Sequence, residues 1–261
     1  MAQTLTATAD PMFTPPRVRL DFADTGTTPV TSVTISRQDP SGLVTAVRTS
    51  DGNPLPVSGG AATVYDYEPP YGVPLVYTTN LAGGPTASAE LDVTRPWLIH
   101  PGIPSRSRPL DFAPGSFAAV TRSIDQGSFT VLGRSTPIIT TGGARRAGAS
   151  QFVLMTETIA DLQALDALFS DGAPLLLNVP PSLGFDVDAM YIAVGDVTFG
   201  RPSSVGTHKD RAITVPYQVV ARPAGGTRSG LLWSDVAATY ATWADLAATG
   251  MTWAELAAQS G

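Results

Sequence analysis

Arg17-Val18-Arg19-Leu20-Asp21-Phe22 is the stretch on which the reading of this chain turns. Polar and apolar residues alternate through it. Successive strand side chains point to opposite faces, so Val18, Leu20 and Phe22 share one face of a half-buried strand. The same period returns at Val33 and Ile35, Leu43 and Val47, Tyr65 and Tyr67, Val73, Leu75 and Tyr77, and Leu91 and Val93. Turn formers fall between these segments: Asp24-Thr25-Gly26, Pro40-Ser41-Gly42, Ser50-Asp51-Gly52-Asn53-Pro54 and Gly59-Gly60. Six or seven short strands in roughly ninety residues predict a β-sandwich over residues 1–94.

Composition agrees with sheets and turns. The 23 Pro and 25 Gly oppose long helices, since proline breaks a helix and glycine weakens it. Charged residues make up 15% of the 261, against about 25% in ordinary soluble domains, which suits a subunit covered by neighbours. A net charge of -6 opposes the dense positive patch that neutralises phosphates, so nucleic acid is not an expected partner. Lys209 is the only lysine, and arginine supplies the other cations, a habit of GC-rich genomes as well as of interfaces. With no cysteine, neither disulfides nor thiolate metal sites hold the fold. The opening residues lack a cationic stretch followed by an apolar run, and no run of eighteen apolar residues occurs. The expectation is a product made in the cytoplasm, without stable membrane insertion.

Prolines crowd Arg95-Pro96-Trp97-Leu98-Ile99-His100-Pro101-Gly102-Ile103-Pro104 and continue to Pro109, so residues 95–113 are expected as an extended, unpaired linker. Trp97 is expected to bury itself at the junction. Residues 114–225 have another rhythm. Ser128 to Leu132 and Gln151 to Met155 read as strands, followed by a helix over 159–170 with an apolar stripe of Ile159, Leu162, Leu165, Leu168 and Phe169. Thr158 caps it with Asp161 three residues on, and Gly172 ends it. Leu175-Leu176-Leu177-Asn178-Val179 is apolar on both faces and predicts a covered strand. Met190 to Val197 and Arg211 to Val220 add two more, giving an α+β, barrel-like core with one packed helix.

Beyond the spacer Arg222-Pro223-Ala224-Gly225-Gly226, residues 226–261 repeat themselves. Trp233-Ser234-Asp235-Val236, Trp243-Ala244-Asp245-Leu246 and Trp253-Ala254-Glu255-Leu256 recur every ten residues. Thr242 and Thr252 each stand three residues before an acid, as in a capping box, so short helical turns are expected. Ten residues are not whole turns, so one continuous helix would wind the tryptophans off a single face. Trp233, Trp243, Trp253, Leu246, Leu256 and Trp97 are the candidate partner-interface residues; whether the repeats dock in cis or in trans stays open.

Catalytic chemistry is sparse. His100 lies among prolines and His208 in a polar loop, neither in a recognisable motif. Asp186 and Asp188 lack an EF-hand loop around them, and Gly142-Gly143-Ala144-Arg145-Arg146 lacks the spacing and lysine of a P-loop. No G-x-S-x-G elbow or H-E-x-x-H helix occurs, so no catalytic residue, metal or cofactor is expected. Two acids could still converge from distant positions, as wall-degrading enzymes require.

Two resemblances add to this reading. Tyr65-Asp66-Tyr67-Glu68-Pro69-Pro70-Tyr71-Gly72-Val73-Pro74-Leu75-Val76-Tyr77 resembles the later strands of fibronectin type III domains. Trp97-Leu98-Ile99-His100-Pro101 is one part of a second likeness, with Val131-Leu132-Gly133-Arg134, the 156–172 helix segment, 174–180, 191–197, 215–223 and the Thr-Trp-Ala-Asp-Leu repeat. In that order, these resemble distal-tail-like minor tail proteins of long-tailed actinobacteriophages. That resemblance implies a virion subunit of the tail tip, assembled in the host cytoplasm into a ring, commonly sixfold. Such a ring joins the tail tube and tape measure to the tip hub and receptor-binding parts. A sandwich preceding the core departs from many such proteins and bears on ring position and copy number. The rival reading is an adhesive or carbohydrate-binding sandwich that stacks sugars on Tyr65, Tyr67, Tyr71 and Trp97.

Overall fold

A computed structural model describes residues 3–26, 29–50, 53–130, 132, 135–202, 210–226, 242–248 and 250. Its architecture is mainly β, as the alternation predicts. Two units divide the chain. One comprises Met1–Pro109, Asn178–Asp188 and Ala224–Gly261, the other Leu110–Leu177 and Ala189–Pro223.

In the first unit, strands β1 (Gln3–Asp10) and β2 (Arg17–Asp24) pair antiparallel, and β2 pairs on its other edge with β7 (Ala61–Asp66). A second sheet runs β5 (Val44–Ala46), β4 (Ile35–Gln38), β8 (Pro74–Thr79), β9 (Thr86–Glu90), and β3 (Ser32–Val33) pairs with β6 (Leu55–Pro56). Val18, Leu20 and Phe22 are buried on one face of β2, and Ile35, Leu75 and Tyr77 are buried in the second sheet.

Local register departs from the expectation in places. The buried face of β7 is Ala62, Val64 and Asp66, which puts Tyr65 on the opposite face and Tyr67 beyond the strand end. Alanine and an ion-paired aspartate carry that face, and neither stands out as apolar in the sequence. Leu43 is exposed at the turn before β5, and Leu91 and Val93 are buried outside any strand. β1 was not expected: its inward positions are Leu5, Ala7 and Ala9, too small a signal to mark a strand.

The expected linker is largely ordered. Trp97–Ile99 (β10) pairs antiparallel with Arg108–Pro109 (β11) around a 3-10 turn at Pro104–Arg106. Proline is tolerated at the start of such a turn and on a short edge strand, where no ladder N–H is needed.

The second unit is built on β18 (Arg211–Val219). One edge pairs with β14 (Ala149–Thr156) along eight residues, and the other holds β17 (Thr198–Gly200) and β16 (Met190–Val194). β15 (Leu175–Asn178) pairs with β16 and is buried at every position, as its continuous apolar run predicts. Helix α1 (Ile159–Phe169) starts where expected, with the Thr158 hydroxyl accepting the Asp161 N–H at 3.1 Å. Gly172, at φ 64°, follows it and donates to the Phe169 carbonyl. The stripe is narrower than predicted: Leu165 and Leu168 are buried, and Ile159 at the first turn is exposed.

Candidate assembly surface

Between residues 118 and 148 the second unit carries a two-stranded arm. Thr121 and Ala149 exchange backbone hydrogen bonds at its root, Arg146 donates to the Ser123 carbonyl, and Gly142 donates to that of Asp125. The ladder continues as β12 (Gln126–Phe129) against β13 (Ile138–Thr141), from Gln126↔Thr141 to Phe129↔Ile138. Nine residues from Thr121 to Phe129 at about 3.3 Å each give an arm about 30 Å long. Gly143, at φ 111°, lies in a bend just beyond β13, where the register shifts. Gly142-Gly143-Ala144-Arg145-Arg146 is therefore part of this ribbon.

Among the described residues, nothing covers the arm. Val120, Phe129, Leu132, Ile138 and Ile139 are all exposed, and among the described residues from 118 to 147 only Ile124 and Gly127 are even half-buried. A two-stranded hairpin is at best marginally stable alone in water, and its two edges present unpaired N–H and C=O groups. The arm is braced by Arg146, which donates to both carboxylate oxygens of Asp125 at 2.9 and 2.8 Å. Burial raises neither partner's weight, since both are solvent-exposed, and such a pair contributes at most about 1 kcal/mol.

The root is rigid by contrast. Phe112, Phe117, Phe152 and Tyr217 form an aromatic cluster with ring centroids 5.0 to 6.3 Å apart. Phe117 adopts φ 61°, unfavourable for a bulky side chain, and its N–H donates to the Gln151 carbonyl. That turn lets the chain leave the sheet beside β14. Sequence reasoning missed the arm's return strand, because Ile138-Ile139-Thr140-Thr141 does not alternate. The available signal was the pair of β-branched runs flanking a turn.

The tail repeats are described at one copy. Residues 243–248 form a helix, α2 (Trp243–Ala248), and Thr242 and Asp245 make the expected capping box: the Asp245 N–H donates to the Thr242 hydroxyl at 3.2 Å, and the Thr242 N–H donates to Asp245 at 2.9 Å. Trp243 is 62% exposed and Leu246 8%. Trp233, Trp253 and Leu256 lie outside the described residues, as do His208 and Lys209. Trp97 is buried on β10, so its ring is already covered within the chain.

The aromatics proposed to stack sugars are spent on the sandwich itself. Tyr67, Tyr71 and Trp97 are buried, and the Arg17 guanidinium lies 4.0 Å from the Tyr65 ring centroid and 3.3 Å from that of Phe13. Acids nearby are likewise engaged. Arg37 Nη1 donates to Asp66 at 2.6 Å across the two sheets, joined by the Tyr77 hydroxyl at 3.2 Å, and Arg48 Nε donates to Glu68 at 3.0 Å. Burial, with Asp66 beside it, pushes the Tyr77 phenol well above its ordinary range. His100 fastens its own loop: Nδ1 accepts the Gly102 and Ile103 N–H groups at 3.2 and 3.0 Å. Asp186 sits at φ 52°, and among the described residues no group of three or more histidines and acids is placed to hold a metal ion. Nor is any helix among them long and apolar enough to cross a membrane.

No protein-family model matches the chain, and no curated protein matches it significantly.

Proposed function

We propose that the chain is a structural subunit of a bacteriophage tail tip. Copies of it associate, as a ring of the sixfold kind that distal-tail-like proteins form, and the ring contacts tail-tube, tape-measure and hub proteins. The observation that carries this reading is the uncovered arm, which sets apolar side chains and open strand edges in water on a chain with few charges to keep it dispersed. Charge favours another copy as the neighbour. Among its described residues the arm bears Arg122, Arg145 and Arg146 against one acid, Asp125, while the whole chain is at -6. The sugar-stacking alternative loses its platform, because three of its four aromatics are buried.

Native mass spectrometry and electron microscopy of the purified chain, alone and with tail particles, test the proposal. The expected result is a closed oligomer, disrupted by Ile139→Asp without loss of the fold, since an exposed substitution shifts stability by only about 0.5 kcal/mol. A monomer at high concentration that is also absent from tails, or an I139D oligomer identical to the parent, refutes it.

A further inference from the structure

The C-terminal segment re-enters the first unit at Gly225-Gly226. Arg48, buried between β5 and β6, reaches in two directions: its Nε donates to Glu68 at 3.0 Å, and Nη1 donates to the Gly225 carbonyl. The Arg48 and Glu68 side chains are only 6% and 3% exposed. At the next residue the fit leaves no room for a side chain: a Cβ on Gly226 would stand 2.6 Å from the Thr49 carbonyl oxygen and 2.8 Å from that of Ser50. Real Cβ atoms do not approach backbone oxygen so closely, so this position requires glycine or a displaced chain.

A second contact lies further on. Leu246 is 8% exposed although α2 has only six residues. So short a helix cannot bury a leucine within itself, and alone in water it would not persist. The segment groups with the N-terminal residues in the first unit, and the leucine is covered within the chain.

We infer that Gly225-Gly226, held by Arg48, which Glu68 orients, is a strap that fastens the tail to the N-terminal unit. The middle tryptophan motif docks in cis through Leu246 and leaves most of Trp243 exposed. Sandwich and tail then form one body and offer a partner a composite surface. A partner that reads Trp243 meets it in a fixed setting. Arg48 is a positioning residue here: its planar fork serves Glu68 and the Gly225 carbonyl together, which a lysine ammonium cannot do in the same geometry.

Hydrogen exchange on the full-length chain, read by mass spectrometry at a dilution where it is monomeric, tests this independently of ring formation. Peptides covering 242–248 should exchange at least about tenfold slower than an unstructured chain, unchanged on further dilution, with that protection abolished by Leu246→Asp. Gly226→Val should speed exchange at 47–50 and 224–226 by about tenfold or more, while peptides from β14 and β18 stay protected. If G226V does not fold, Arg48→Lys gives the milder version of the same local loosening. Free-peptide exchange at 242–248 in the parent, protection that fades on dilution, or an unchanged 47–50 segment in both strap variants overturns the inference.

Discussion

Replacing Asp66 with alanine tests how the sandwich is held together. The carboxylate lies on the inward face of β7 and bridges the two sheets: Oδ2 accepts Arg37 Nη1 at 2.6 Å and the Tyr77 hydroxyl at 3.2 Å, and Oδ1 accepts the Glu68 N–H at 3.0 Å. The Arg37 and Asp66 side chains are 10% and 2% exposed, so water gives little compensation when one partner is lost. A buried guanidinium left without its carboxylate costs about 3–5 kcal/mol, far more than the pair contributes as a net attraction. At about 2–4 °C per kcal/mol for a unit of this size, Asp66→Ala should lower the melting temperature of the first unit by at least about 6 °C. Removing both charges with Arg37→Met and Asp66→Leu should cost less than the single change, because neither ion is then buried alone. Asp125→Ala on the arm breaks a bidentate pair at 2.9 and 2.8 Å whose side chains are 56% and 67% exposed, and should cost no more than about 1 kcal/mol. Urea unfolding followed by circular dichroism measures all three variants. A cost below about 1 kcal/mol for D66A, or one equal to that of D125A, would show that burial does not govern these pairs.

Three further variants, at Tyr71, Asp24 and Thr158, have defined outcomes. The Tyr71 hydroxyl is buried without a hydrogen-bond partner among the described residues, so Tyr71→Phe should be neutral or stabilising at pH 7 in urea unfolding, where most core changes destabilise. Burial raises the Tyr71 and Tyr77 phenols, so the folded chain keeps protons that the unfolded chain releases above about pH 10. Stability is therefore full below that value and falls as pH rises, and Y71F should flatten the decline measured by alkaline melting curves. Asp24 is held below the usual carboxylate range chiefly by the Val30 N–H and then by that of Gly26, so its contribution is present above about pH 3.9 and is lost as pH falls towards the lower folded value. Asp24→Asn should remove that acid-side dependence in melting curves taken from pH 5 to 2. Thr158→Ala deletes the α1 cap and should cost about 1 kcal/mol in the unfolding of the second unit, read by the same circular dichroism assay.

Much of the β architecture was legible, because burial on one face leaves a period of two in β2 and β8, and burial on both faces leaves the unbroken apolar run of β15. Helix α1 and the tail motif announced themselves through capping residues, whose hydrogen bonds are local and need no distant partner. The arm was not legible in the same way. Both its faces are exposed, so no burial pattern selects its residues, and half of the ribbon is a β-branched run without alternation. Tyr65 and Tyr67 misled for a related reason: the inward positions of β7 are Ala62, Val64 and Asp66, and an aspartate reads as solvent-facing unless its arginine, 29 residues away, is known.

Composition and local periodicity by themselves determined the mainly β class, the position of the long helix and the capping of the tail motif, since each depends on neighbours a few residues apart. Tertiary structure alone decided which aromatics were consumed by the core, which acids were neutralised in it, and that residues 95–109 pair instead of linking. It also decided that the C-terminal segment returns to the first unit. Those outcomes depend on long-range contacts such as Arg37 with Asp66 and Arg48 with Gly225, and such contacts leave no period in the chain.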